Sequence, residues 1–323
     1  MEATEDDVRY AYRLLLGREP DAEGLANHVN ETNRQKHSPD AVARTIMASD
    51  EYRLRNNKST TLREIQIDGV KIYPWEGDRL IGDSLGSAGD YEPNVLPVFL
   101  RSLRPGDTVL DVGANIGIFT LLAAKRVGGD GHVYAFEPIA KNVKSICAGI
   151  IGNGFTNISL IPVAASDSAG AVSMHPTDIS SNGIVDVRAS LPGDADMAPT
   201  NRIDALLGGI TRLDVIKIDI EGYELRAWKG IRSLVERFRP LIFSEFSPVA
   251  IRNTLAVDPE DYLKALFEFL TGLIHVLHRG GEEANCSTPA EVMLEWRAAN
   301  KQMGMDGGLH LDLRLETRTS GIR

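Results

Sequence analysis

The sequence predicts a doubly wound α/β fold with a small all-α bundle at its N-terminus. Three observations carry this reading. Residues 106–120 run strand, tight glycine turn, helix. From Gly106 onward, apolar strand patterns alternate with helical ones, which argues for a parallel sheet with helices on both faces. Residues 1–56 carry only helical periodicity. The expected segments are a helical bundle over 1–56, a connector over 57–105 and the α/β domain over 106–323.

The glycine turn is the most informative stretch. Thr108–Val112 is an apolar strand with Asp111 near its carboxyl end, followed by Gly113-Ala114-Asn115-Ile116-Gly117 and a helical pattern at Ile118, Leu121 and Leu122. Such a turn brings backbone close to a ligand, and the new helix points free N–H groups at it. A dinucleotide fingerprint needs glycine at its third position, so that backbone can approach the pyrophosphate. That position is Asn115. S-adenosylmethionine carries no phosphate, and its cationic amino group suits Asp111, so it is the preferred ligand. The second core strand, Gly131–Phe136, ends in Glu137, twenty residues after Gly117. An acid at that distance commonly accepts hydrogen bonds from ribose hydroxyls.

Composition sets limits. The chain has 323 residues, enough for one large domain and one small one, and 43% hydrophobic content fills a core. A net charge of −10 argues against nucleic acid or an anionic membrane as the main partner. No run of eighteen apolar residues offers a spanning helix. The start, MEATEDDVRY, is acidic and lacks the basic and apolar regions of a signal peptide. Two cysteines, Cys147 and Cys286, form no metal or disulfide pattern, in keeping with a reducing cytoplasm.

In chain order, Val8, Tyr12, Leu15 and Leu16 share one helical face. A second helix covers 22–34, and a third starts at Ser38-Pro39, with Ser38 as its cap. Tyr12–Leu25 and Ser49–Arg53 resemble a bacterial domain of unknown function, a likeness that implies no activity. Asn56–Ser59 is linker-like, and Ile65–Tyr73 alternates around an Asp68-Gly69 turn, as a hairpin does. Ser87–Glu92 precedes a helix over Pro93–Leu103, so Tyr91 and Glu92 are placed to reach the ligand.

The third core strand is expected over Ile158–Val163, ending in Ala164-Ala165-Ser166-Asp167, where Asp167 can accept from an adenine amino group. Residues 168–200 are an insertion rich in Gly, Ser, Asp and Pro, with weak strands at 171–175 and 184–188 and a loop histidine, His175. The fourth strand, Leu213–Ile218, leads into Asp219-Ile220-Glu221-Gly222-Tyr223-Glu224, and the fifth, Leu241–Phe246, contains Glu245. If strand four lies beside strand one, at the reversal of strand order, Asp219 and Glu221 meet the Asp111 turn. Asp219, Glu221 and Glu245 can then supply a general base or hold a hard cation such as Mg2+ through oxygen ligands. The plainer alternative is that Glu221 and Glu224 favour a helix N-terminus electrostatically. A helix over 259–271, a strand at Leu273–Leu277, a helix over Pro289–Met303 and a last strand at His310–Leu315 complete the chain.

Tyr91-Glu92, Asp111–Gly117, Phe136-Glu137-Pro138, Asn153, Ala165-Ser166-Asp167 and Lys217–Glu224 together resemble the FkbM family of S-adenosylmethionine-dependent methyltransferases, over about residues 62–250. The resemblance implies a Rossmann-like, seven-stranded methyltransferase sheet with one antiparallel edge strand, and methyl transfer to a hydroxyl oxygen of a sugar, glycan or natural product. Carried over, Asp111, Gly113, Asn115 and Gly117 form the turn at the methionine end. Glu137 takes the ribose, Asp167 the adenine, and Asp219 and Glu221 face the acceptor. The N-terminal bundle and the 168–200 insertion depart from the family pattern. The bundle suits docking to a partner or to a second copy of the chain. Two other readings use the same fold, a non-catalytic scaffold and a nicotinamide-dependent oxidoreductase. Asn115 speaks against the second.

Overall fold

In this computed structural model the described residues are 3–16, 19–49, 61–76, 78, 91–174, 184–185, 196–269 and 272–317. His175, the 56–59 linker, the loop before Tyr91 and the outer half of the 184–188 strand lie outside them. The chain divides into two compact units, Met1–Thr60 and Thr61–Arg323.

The first unit holds three helices, α1 (Glu5–Leu16), α2 (Ala22–Gln35) and α3 (Pro39–Ala48). Val8, Ala11, Tyr12, Leu16, Val42 and Ile46 form its core. Each helix starts on a side-chain cap. Thr4 and Asp7 cap α1 reciprocally, Asp21 accepts from Gly24 N–H at 2.7 Å, and Ser38 accepts from Ala41 N–H at 3.3 Å.

The second unit opens with the hairpin β1 (Ile65–Ile67) and β2 (Val70–Ile72), followed by α4 (Leu96–Ser102). Then come β3 (Thr108–Val112), α5 (Ile118–Val127), β4 (His132–Phe136), α6 (Ala140–Asn153) and β5 (Ile158–Ile161). After the insertion, described below, follow α7 (Ile203–Leu206), β10 (Val215–Ile218), α8 (Glu224–Phe238) and β11 (Leu241–Phe246). The chain continues through α9 (Pro248–Leu255), α10 (Pro259–Phe267), β12 (Ile274–Leu277), β13 (Glu283–Cys286), α11 (Pro289–Gln302) and β14 (Leu311–Glu316).

The main sheet has eight strands in the order β13-β12-β14-β11-β10-β3-β4-β5. The run from β11 to β5 is parallel, and strand order reverses between β3 and β10, in register Lys217 beside Asp111. Two strands run against the rest. β14 inserts between β11 and β12, and the additional β13 forms an antiparallel edge as a hairpin with β12. Trp228, Tyr262 and Leu263 fill the core on one face of the sheet, and Phe99, Phe119 and Phe243 fill the other. Among the described residues no helix is long and apolar enough to cross a membrane.

The expected third strand is shorter than its apolar run. β5 stops at Ile161, and β6 (Ala164–Ala165) leaves the main sheet. With β7 (Gly170–Met174), β8 (Ile184–Val185) and β9 (Asp196–Asn201) it forms a second sheet in the order β6-β9-β7-β8. β9 went unrecognised because Pro199 interrupts it. Pro199 faces β7 alone, since β6 pairs only with Thr200 and Asn201, so the strand edge there tolerates a missing donor.

The hairpin of the expected connector belongs to the core of this unit, through Val70, Ile72 and Trp75. Asn153, at the end of α6, fastens it. Its Oδ1 accepts from Lys71 N–H at 2.8 Å, and its Nδ2 donates to the Lys71 and Gly149 carbonyls, both at 2.7 Å. Asn153→Ala should therefore lower the unfolding free energy of this unit by about 2–3 kcal/mol, measured by urea denaturation. An unchanged midpoint would show that the clamp is dispensable.

Candidate functional site

β3 and β10 meet at their carboxyl ends, and Gly113 makes this contact possible. At φ 87° a Cβ on residue 113 would fall 1.9 Å from the Asp219 carbonyl oxygen. Any side chain would push the glycine turn off the end of β10. The Asp219 N–H in turn donates to the Val112 carbonyl at 3.0 Å. The turn and the acidic loop are thus one backbone assembly.

Glu137, at the end of β4, organises the turn from the other side. Its Oε2 accepts from Asn115 N–H at 2.8 Å, and its Oε1 accepts from Ile139 N–H at 2.8 Å and from Asn142 Nδ2 at 3.3 Å. Burial pushes its carboxyl up to about 7, against the pull of these donors. Asp111 is also buried. Its Oδ2 accepts from Thr120 Oγ1 at 2.6 Å, whereas its Oδ1 and the buried Oδ1 of Asn115 have no partner among the described residues. Buried acceptors are seldom left unpaired. Two of them on one ligand-facing turn fit a cationic N–H donor. Gly117 begins α5 without a side-chain cap, which leaves that helix end to a ligand or water.

Beside this turn lies a cluster of acids around one ammonium. Lys217, with a side chain 6% exposed, donates to Asp219 Oδ2 at 2.9 Å and sits 4.4 Å above the centre of the Phe119 ring. Burial alone would lower its pKa, but the Asp219, Glu92 and Asp111 carboxylates outweigh burial and hold it charged. Burial likewise opposes ionisation of Asp219, and Lys217 with a hydrogen bond from Glu245 overcomes it, holding Asp219 below the usual carboxylate range. Glu245 moves the other way. Burial and the neighbouring Asp219 charge push it well up, so the two share a proton. Burial also raises Glu92, to about 7.

Further side chains enclose the cluster. His310 Nδ1 lies 3.1 Å from Glu245 Oε1, and Asn94 Nδ2 donates to Asp312 Oδ2 at 2.7 Å. A cavity of about 10 Å³ between Glu92, Lys217, Asp219, Glu245 and Asp312 has room for roughly one water.

The sequence-predicted residues converge unevenly. Oxygens of Asp219, Glu221 and Glu245 lie within 4.8 Å of one another. Tyr91 packs edge-on against Phe119, and Glu92 joins the acids around Lys217 rather than the glycine turn. Asp167 Oδ1 is bonded to Arg226 Nη1 at 3.2 Å. Glu224 serves the loop itself, its Oε1 accepting from Ile220 and Gly222 N–H at 3.1 Å each. Lys217 went unassigned despite a signal in the sequence, a cation in an apolar strand two residues before Asp219 and therefore on the same face. His310 and Asp312 had no such signal. They reach the site only because β14 pairs with β11, with Asp312 opposite Glu245.

These burials set a pH dependence. Glu92, Glu137 and Glu224 are each pushed by burial from an ordinary 4.5 to about 7. Between these values the folded chain holds protons that the unfolded chain has released. The stability these groups contribute is therefore complete below about 4.5 and lost as pH rises through 7. Glu224→Gln keeps the acceptor for both loop amides and removes one titration. Between pH 5 and 8 the variant should lose roughly 2–3 kcal/mol less stability than the parent. Parallel stability profiles in thermal unfolding would contradict this.

Comparison with known proteins fits this geometry. Residues 111–273 match the Methyltransferase FkbM domain. The hexuronic acid methyltransferase AglP of Haloferax volcanii is 26% identical over 178 residues, covering 55% of this chain and 68% of that protein. Among solved structures, the methyltransferase FkbM from Methylobacillus flagellatus aligns with 95% of this chain at 17% identity and a TM-score of 0.42. The alignment spans only 58% of that longer chain. A SAM-dependent O-methyltransferase from Thermotoga maritima aligns with 80% of this chain and 79% of its own at 11% identity, with a TM-score of 0.39. The family match takes in half of the sequence, from Asp111 at the end of β3 to Leu273 just before β12, and the chain belongs to the FkbM methyltransferase family.

Proposed function

We propose that the chain is an S-adenosylmethionine-dependent O-methyltransferase acting on a hydroxyl of a sugar or glycan. The observation that carries this reading is the backbone contact between Gly113 and Asp219. It sets a turn with two unpaired buried acceptors directly against an acidic cluster able to take up a proton. The hexuronic acid named for the relative AglP supports a sugar acceptor.

S-adenosylmethionine supplies a methyl group already activated by a sulfonium. Asp111 and Asn115 would accept from the methionine amino group. Glu137 keeps one acceptor site, on Oε2, for a ribose hydroxyl, since a carboxylate has about four acceptor sites and three are filled. Holding the acceptor oxygen in line with the methyl carbon lowers the barrier through orientation. The acceptor proton then passes to Asp219, within the pair it forms with Glu245. Asp219 is a weak base while Lys217 holds it ionised. It suffices because the oxygen becomes strongly acidic as its new bond to carbon forms, so proton transfer comes late.

A divalent cation on Asp219, Glu221 and Glu245 is a second reading, favoured by the closeness of their oxygens. It would have to displace the proton between Asp219 and Glu245 and share Asp219 with Lys217. The proton-acceptor reading needs neither change.

Calorimetric titration with S-adenosylhomocysteine should give saturable binding with one equivalent. Glu137→Gln should weaken it about tenfold to a hundredfold, the loss of one hydrogen bond to a charged acceptor. No binding by the parent protein would refute the cofactor assignment. Asp219→Asn should bind S-adenosylhomocysteine within a few-fold of the parent. It should also lower transfer of labelled methyl to a panel of monosaccharide glycosides by about 10²–10⁴. Full transfer by this variant would remove Asp219 from the reaction, and transfer abolished by EDTA and restored by Mg2+ would favour the metal reading.

A further inference from the structure

A second concavity meets the acidic loop at Tyr223, and none of Asp219, Glu221 and Glu245 lines it. It has a volume of about 230 Å³, smaller than the roughly 300–1,000 Å³ of drug-sized sites and suited to one small polar unit. Hydroxyl groups line it, from Ser166, Thr200, Tyr223 and Thr254, and Arg226 stands at its wall. Strands β7 and β9 of the inserted sheet, the start of α8 and the end of α9 contribute. Gly230 lets α8 come close, since a Cβ there would lie 2.0 Å from the Ser166 carbonyl oxygen.

The groove is joined to the proposed reaction site through backbone. Tyr223 follows Gly222 in the acidic loop, and Thr254 Oγ1 donates to the Glu221 carbonyl at 3.4 Å. Tyr223 Oη and Ser166 Oγ lie 3.3 Å apart, a pair in which either can donate. Arg226 lies over the Tyr223 ring, 5.9 Å from its centre, and bonds Asp167 Oδ1 through Nη1 at 3.2 Å. No described side chain or carbonyl accepts from its Nε or Nη2. Among the described residues the guanidinium thus keeps one planar edge of N–H donors for a ligand.

We propose that this groove binds an acidic sugar unit of the acceptor, with its carboxylate on the free edge of Arg226 and its hydroxyls on Ser166, Tyr223 and Thr254. The inference rests on the reading of the chain as a sugar-directed methyltransferase. A carboxylate matches the guanidinium fork with two parallel hydrogen bonds. A dianionic phosphate is disfavoured, because Asp167 already lies on the same guanidinium. Asp219, Glu221 and Glu245, which do not line the groove, repel a carboxylate, so the charge pattern also orients the sugar.

The test is titration of the full-length protein with methyl β-D-glucuronoside and methyl β-D-glucoside, followed by ligand-observed NMR, with and without S-adenosylhomocysteine. The parent protein should bind the glucuronoside at least tenfold more tightly than the glucoside. Arg226→Gln should abolish this preference. Arg226→Lys keeps the charge beside Asp167 but loses the fork, and should retain only part of it. Equal binding of the two sugars to the parent, no binding of either, or a preference that survives Arg226→Gln would each overturn the assignment. The parent comparison decides even if Arg226→Gln fails to fold. If the sugar preference is found but S-adenosylhomocysteine does not bind, the groove stands and the methyltransferase reading fails. If the cofactor analogue binds and the preference is absent, the groove alone fails.

Discussion

The site depends on one buried cation. Lys217 lies in the middle of the parallel sheet, with Asp111 beside it in register on β3, Asp219 two residues on and Glu92 brought in ahead of α4. Its ammonium rests on the Phe119 ring, which leaves no water on that side. A buried charge is costly unless paired, and removing one partner of such a pair is far worse than never having built it. Here several acids depend on one partner. Without Lys217 the ionised Asp219 and the raised carboxyls of Glu92 and Asp111 would take up protons or draw in water. The acidic cluster exists as a charged group because β10 places a lysine where an apolar strand residue is expected.

This arrangement explains why an acid of such low basicity can still serve. Lys217 holds Asp219 below the usual carboxylate range, which keeps the base of the proposed reaction ionised. Its weakness matters little for an oxygen that becomes acidic only as it is methylated. Glu245 complements it. Pushed well up by burial and by Asp219, it keeps its proton and donates it across the pair, which spares the site a second buried negative charge. Two carboxyls in one environment thus take opposite protonation states, a division of roles that follows from where each lies relative to Lys217.

Local chemistry was legible in the sequence, and chemistry made by non-local pairing was not. The glycine turn, Glu137 and the Asp219 loop could be read because each sits at the end of a strand, with its neighbours in sequence defining the geometry. The placement of strand four beside strand one followed from the reversal rule of doubly wound sheets, and the register of Lys217 with Asp111 confirms the seam. His310 and Asp312 were invisible for a topological reason. β14 is antiparallel and slots between β11 and β12, and nothing within its own six residues says which strands it will join. The bond between Asp167 and Arg226 was hidden likewise, since it links the inserted sheet to the first turn of α8. Glu224, read in the sequence as favouring a helix N-terminus, spends its oxygen on the amides of the acidic loop, a local role set by neighbours in sequence.

The departures from the family pattern fall where specificity has to be built. The parallel half of the sheet carries the glycine turn, Glu137 and Asp219, and in the roles proposed for them none distinguishes one hydroxyl from another. The insertion between β5 and β10 adds a second sheet whose Ala164, Val172 and Ala198 pack against Tyr223 and Ile220, so it is anchored on the acidic loop itself. In the proposed sugar-directed reading, Arg226, whose outer edge no described residue fills, and the hydroxyls beside it serve to hold one sugar in line with a methyl group, because orientation is the part of the barrier that binding contacts can remove.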